Sequence, residues 1–173
     1  RLIVMPRFER TALIPGIQIQ RTDNAQQAYY VWCTLAETQP HACKHCGERR
    51  NKLKAYRLRT LKQGFWCGKL MILKLKVPKL SCQACGRYFM AAVPGVLPKR
   101  RATENFRQEV FHLHQGGLTQ KHLSRTHAIG SATVERWYHD FVAKRVSELS
   151  GRSCPRVLGI DEHFFSRKNG YAT

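Results

Sequence analysis

The sequence predicts an α+β fold, β-rich over its first half and helical over most of its second. Two C-x-x-C pairs bracket a stretch in which apolar and basic residues alternate, the period of a half-buried strand. After Val93 the period lengthens to three and four, and Thr103, Thr119 and Ser131 stand where helix caps belong. A short apolar run ending in an acid, Val157 to Asp161, then returns to strand character.

Charge narrows the class of partner. The 173 residues carry 30 Lys+Arg against 11 Asp+Glu, a formal net charge of +19. The excess is local: residues 40 to 101 hold 16 Lys/Arg and a single acid, Glu48. Solvated surfaces usually mix both signs, so a one-signed region calls for a polyanion. Nucleic acid is the first candidate and an anionic membrane surface the second. No run approaches the roughly 20 apolar residues of a membrane span. Pro6 and two arginines break the short apolar start, so no signal peptide is expected. A cytoplasmic protein is therefore expected, in which seven cysteines favour metal over disulfides. The chain begins without Met and ends at Thr173 inside a strand-like pattern, as a piece of a longer protein would.

Taken in order, residues 1–39 form a β-rich lead-in. Ile17–Gln20 alternates, Tyr29–Ala36 is rich in β-formers, and Thr22–Gln27 between them is a turn. Residues 40–92 hold the cysteine pairs and a basic hairpin. One strand sets Leu73, Leu75 and Val77 against Lys74 and Lys76; the other sets Tyr56 and Leu58 against Arg57 and Arg59. The loop between them is placed at Gln63–Gly68. Residues 93–102 are a Pro/Gly linker ending in Lys99, Arg100 and Arg101. Residues 103–150 carry three helices. Phe106, Val110 and Leu113 line the first, which Gly116-Gly117 ends; a short second helix leads to the turn His127–Gly130; Ser131 caps the third. Residues 156–173 read as a buried strand, an Asn169-Gly170 turn and a return strand at Tyr171–Thr173.

Three constellations carry chemistry. Cys43, Cys46, Cys82 and Cys85 offer the four thiolates of a tetrahedral zinc site, and a glycine after each pair permits the turn that such a hook needs. Four cysteines close the site, which makes the zinc structural. Cys33, Cys67 and Cys154 lack partners at ligand spacing. Thr119 to Phe141 has the layout of a helix-turn-helix, with Leu118, Leu123, Ile129, Val134 and Trp137 as its core. Ser131, Thr133 and Arg136 then face the major groove, while Arg57, Arg59, Lys74, Lys76, Lys99, Arg100 and Arg101 are expected on phosphates. Asp161 ends a strand and could hold Mg²⁺, although a lone acid there is more often a turn residue.

The order of these parts resembles one family: a C-x-x-C-G hook, a basic hairpin, C-x-x-C-G-R-x-F from Cys82 to Phe89, a helix-turn-helix, then L-G-I-D-E. It resembles the transposases of bacterial insertion sequences of the ISL-three type. The resemblance implies a small zinc ribbon, a helix-turn-helix domain and, at 156–173, the first strands of an RNase H-like α/β domain. It implies that the first two bind the element's terminal inverted repeats in double-stranded DNA, as a homodimer on DNA in the bacterial nucleoid. It matches the four cysteines to the zinc ligands, and Asp161 to the first of three acids that hold catalytic Mg²⁺ in the complete enzyme. Val77–Ser81 departs from the more arginine-rich strand of the family. The chain stops where the catalytic domain begins, so no activity of its own is expected. Glu104, Glu109, Glu135 and Asp140 lie in helices and have other roles. A non-catalytic zinc and helix-turn-helix DNA-binding protein, as a regulator or a decayed transposase, is the alternative; a ribosome-associated or RNA-binding ribbon is a third.

Overall fold

The structure is a computed structural model that describes residue 14, residues 16–36 and 41–151, and the backbone of 163–166 and 170–172. Five strands form one sheet: β1 (Ile17–Asn24), β2 (Ala28–Leu35), β3 (Asn51–Trp66), β4 (Lys69–Cys82) and β5 (Tyr88–Met90). The order is β1-β2-β4-β3, with β5 also on β4. β2 runs parallel to β4, from Ala28 opposite Leu70 to Thr34 opposite Lys76; the other pairs are antiparallel. The lead-in strands therefore belong to the same sheet as the hairpin.

Alternation in β4 decides which face is dry. Met71, Leu73, Leu75 and Val77 are buried, joined by Val31 and Cys33 of β2 and Leu61 of β3. Burying each such aliphatic chain contributes about 1.5–3 kcal/mol, so β4 is the sheet's main hydrophobic anchor. The opposite side of β4 carries Lys74 and Lys76, as expected from the sequence.

Three expectations are corrected. The hairpin is longer than predicted, and its loop is the two-residue turn Cys67-Gly68 rather than Gln63–Gly68. Both turn residues have positive φ, 47° and 76°, the geometry that suits the right-handed twist of flanking strands. Gly64 instead sits at an irregularity of register, a bulge inside β3. Tyr56 and Leu58 are 44% and 55% exposed rather than buried, because their register with Pro78 and Lys76 puts them on the face opposite the apolar core. Arg59, expected on an open basic face, lies on the side of buried Leu75, half-buried.

Three helices follow: α1 (Glu104–Gln115), α2 (Gln120–Thr126) and α3 (Ser131–Leu149). The Thr103 hydroxyl accepts from the Phe106 N–H and the Thr119 hydroxyl from the His122 N–H, each at 3.2 Å, so both predicted caps form. Ser131 is not a cap. It is already helical, and the Gly130 carbonyl accepts from the Thr133 and Val134 N–H groups. Phe106, Val110, Leu123, Val134 and Trp137 form the core with Ala102; Ile129 packs on it, whereas Leu118 is exposed.

The helices are joined to the sheet by backbone and by side chains. Lys62 and Ala102 make a parallel bridge, and the Lys62 ammonium donates to the carbonyls of His127, at 3.3 Å, and of Ala128. Burial lowers the pKa of Lys62. Ala128 has φ 51°, so the turn between α2 and α3 is a tight left-handed one held from the sheet. Arg107 accounts for two of the helix acids. Only 2% exposed, it donates to Glu104 and to Asp140 at 2.7 Å each, and its guanidinium lies over Trp137 and Phe141. Arg107→Ala removes this packing and both short ion pairs, leaving Asp140 only the longer contact to Arg100 at 3.7 Å. We expect it to destabilise the fold by about 2–4 kcal/mol. Urea unfolding measures this, and a loss below about 1 kcal/mol would assign Arg107 no structural role.

The chain divides into two compact units, the first ending at Phe141. The second holds the end of α3 and a hairpin of β6 (His163–Ser166) and β7 (Gly170–Ala172), paired from His163 opposite Ala172 to Ser166 opposite Gly170. The strand expected at Val157–Asp161, and Asp161 with it, lies outside the described residues.

Candidate metal centre and nucleic-acid interface

Each C-x-x-C pair folds into the same knuckle. In the first, the Cys43 N–H donates to the Glu48 carbonyl at 2.8 Å and the Gly47 N–H to the Cys43 carbonyl at 2.8 Å. In the second, the Cys82 N–H donates to the Arg87 carbonyl at 3.0 Å and the Gly86 N–H to the Cys82 carbonyl at 3.1 Å. Gly47 and Gly86 have φ of 77° and 68°, which a side chain would oppose. The Gln83 N–H reaches the Arg50 carbonyl at 3.0 Å, and Asn51 pairs with Cys82 at the start of β3. The hairpin thus carries both knuckles at its open end, one on each strand, away from the Cys67-Gly68 turn.

The four sulfurs all lie within 4.8 Å of one another. Cys43 and Cys85 are 3.8 Å apart, Cys46 and Cys82 3.6 Å. A zinc ion bound at about 2.3 Å by four sulfurs sets them on a tetrahedron with edges of about 3.8 Å, so the set fits zinc with at most a small inward movement of the sulfurs. Two sulfurs are buried and two exposed. Against the upward push of burial, the His45 and Cys46 backbone N–H groups and the neighbouring thiols bring Cys43 down to about 7. Cys33 behaves oppositely: buried away from any such donors, its thiol is pushed up to about 11.

The residues expected on DNA divide by what the fold leaves free. Ser131 and Arg136 are exposed at the start of α3 with Thr133 half-buried between them, and Arg136 donates to the Thr133 hydroxyl at 3.2 Å. Arg57, Lys76, Lys99 and Arg101 are exposed, and Lys74 is half-buried. Arg59 and Arg100 are partly committed to the fold. Arg59 donates to the Arg100 carbonyl at 2.7 Å, and the Arg100 guanidinium lies 3.7 Å from Asp140. Lys62 and Arg107, which tie the helices in place, went unmarked in the sequence because nothing local distinguishes them from other bases.

A family model described as the zinc-finger of transposase IS204/IS1001/IS1096/IS1165 matches residues 39–85, ending on the last of the four cysteines. A second, the helix-turn-helix domain of transposase family ISL3, matches residues 91–142, taking in α1, α2 and the first part of α3. The chain carries the N-terminal region of an ISL3-family transposase. No curated protein and no solved structure matches it. As in the ISL3 zinc finger, the four-cysteine cluster is a structural zinc site. The ISL3 helix-turn-helix makes this a module for double-stranded DNA. Among the described residues no helix is long and apolar enough to cross a membrane.

Proposed function

We propose that this ISL3 region binds the terminal inverted repeats of an insertion sequence, as the front end of a DDE transposase acting in the nucleoid. The observation that carries the reading is the exposed start of α3, which presents Ser131, Thr133 and Arg136 beside a turn held by Lys62. Those three residues read base edges. Arg57, Lys74, Lys76, Lys99 and Arg101 hold phosphates, with Arg59 and Arg100 at the join of linker and sheet. Two copies bind as a homodimer, one at each repeat. In the complete enzyme Asp161 is the first of three acids; Mg²⁺ held there would polarise the phosphodiester and activate the attacking oxygen.

Binding assays with the repeats that flank the gene test this. Arg136→Ala is expected to weaken repeat binding about 5- to 150-fold while random duplex is bound within twofold, since a bidentate base contact carries about 1–3 kcal/mol of discrimination. Arg57→Glu is expected to weaken both DNAs alike. Equal loss on both DNAs for Arg136→Ala would remove α3 from the role of base reader.

A further inference from the structure

The side of the sheet opposite the apolar core is not simply basic. Strand register puts Trp32 beside Lys74 and Leu58 beside Lys76, with Arg21 next to Trp32 and Tyr30 two residues along β2. Every cation in this group stands over a ring: Arg21 over Trp32 at 4.4 Å, Lys74 over Tyr30 at 5.5 Å and Lys76 over Tyr56 at 4.5 Å. Between Trp32 on one side and Tyr56 and Leu58 on the other lies an open cleft of about 290 Å³, floored by Lys74 and Lys76. That is the lower end of the size range of small-ligand pockets, about 300–1,000 Å³.

We propose that this face is a platform for single-stranded DNA, with unpaired bases stacked on Trp32 and Tyr56 and their phosphates held by Arg21, Lys74 and Lys76. The inference rests on the DNA-binding role above and gives Lys74 and Lys76 a more specific partner. Duplex DNA explains the cations but not the rings, because its base faces are already stacked and only edges and phosphates are offered outward. An unpaired strand offers both groups this face is built to meet. Aromatic side chains on adjacent strands of an open sheet are how small β-domains hold splayed bases. Exchange is favoured, because a base stacked on an exposed ring is held more strongly than a solvated cation over it. An incoming phosphate draws the ammonium off the ring as the base takes its place. Lys62 lies on the same side of the sheet and holds the turn before α3, so the platform runs toward the duplex-reading helix.

The test uses the zinc-loaded chain and two labelled probes, an oligo(dT) of about 12 nucleotides, within the site sizes of such sheets, and a random-sequence duplex. Tyr56→Ala is the decisive variant, since the side chain is 44% exposed and its loss leaves the core intact. Oligo(dT) affinity is expected to fall fivefold or more, Tyr56→Phe to retain it, and duplex affinity to stay within twofold. Trp32→Leu is expected to act in the same direction, with circular dichroism reporting the fold. Duplex binding without any oligo(dT) binding, unchanged oligo(dT) binding by Tyr56→Ala, or equal losses on both probes would each overturn the platform and leave the duplex-reading role standing. Binding of neither probe would overturn both.

Discussion

Cys82→Ser is expected to abolish stoichiometric zinc and to unfold the end of the sheet. Cys82 is the last residue of β4, 1% exposed, and part of the main core cluster. Its sulfur is one of four ligands, and its backbone holds both the second knuckle and the pairing with Asn51. Structural zinc contributes about 10–16 kcal/mol in small zinc modules, as much as or more than the whole stability of an ordinary domain. Three thiolates cannot keep that, and a serine hydroxyl is a poor substitute. The native chain should hold one zinc, the variant none, and the loss of β structure should be visible by circular dichroism. The helical core, built from Phe106, Val110, Leu123, Val134 and Trp137, contains no ligand and should keep its helical signal. A variant that binds a full equivalent of zinc, or a native chain with less than half an equivalent, would contradict the assignment.

DNA affinity should fall by about three to four decades between 50 and 200 mM salt. Each phosphate neutralised by Lys or Arg releases condensed counterions, so the slope of log K against log salt is about −0.9 per contact. The structure takes Arg59, Lys62 and Arg100 partly out of the sixteen bases between Lys44 and Arg101, through bonds within the fold. Arg57, Lys76, Lys99 and Arg101 remain exposed, as do Lys44, Lys52 and Lys54. Roughly six to eight contacts then give a slope of about −5 to −7. Anisotropy titrations across that salt range measure it. A slope shallower than about −2 would mean that this basic region meets no DNA backbone.

What could be read in advance follows from the range of the interactions. The hooks were legible because zinc ligation imposes its own spacing and each knuckle is closed by neighbours four or five residues apart. The caps at Thr103 and Thr119 were legible for the same reason, as each satisfies an N–H three residues on. The alternation of Leu73, Leu75 and Val77 reported a dry face correctly, but the same pattern at Tyr56 and Leu58 did not. Alternation shows that a strand has two faces and not which of them is covered, and register with Lys76 turns Tyr56 and Leu58 to the open one. Gly64 misled because glycine serves bulges and turns alike. The parallel pairing of β2 with β4 and the grip of Lys62 on the turn before α3 depend on residues about forty or more apart, and the ring-and-cation face gathers side chains from four strands, so no local pattern announces them.

That parallel pairing also sets a clock. β1 and β2 leave the ribosome before the rest of their sheet and can close as a hairpin at once, yet β2 finds its other neighbour only when Leu70 to Lys76 have been made. At about 5–20 residues per second, the forty-odd intervening residues take about 2–8 seconds to appear. For that interval Val31 and Cys33 have no β4 to lie against, and one edge of β2 is unpaired. The β3–β4 hairpin is the local unit that must form next, and its two knuckles complete the metal site only after Cys85. Of this sheet's strands, the two made earliest are therefore among the last to be finished, and the nascent chain is most open to mispairing until Lys76 has been made, before its metal site is complete.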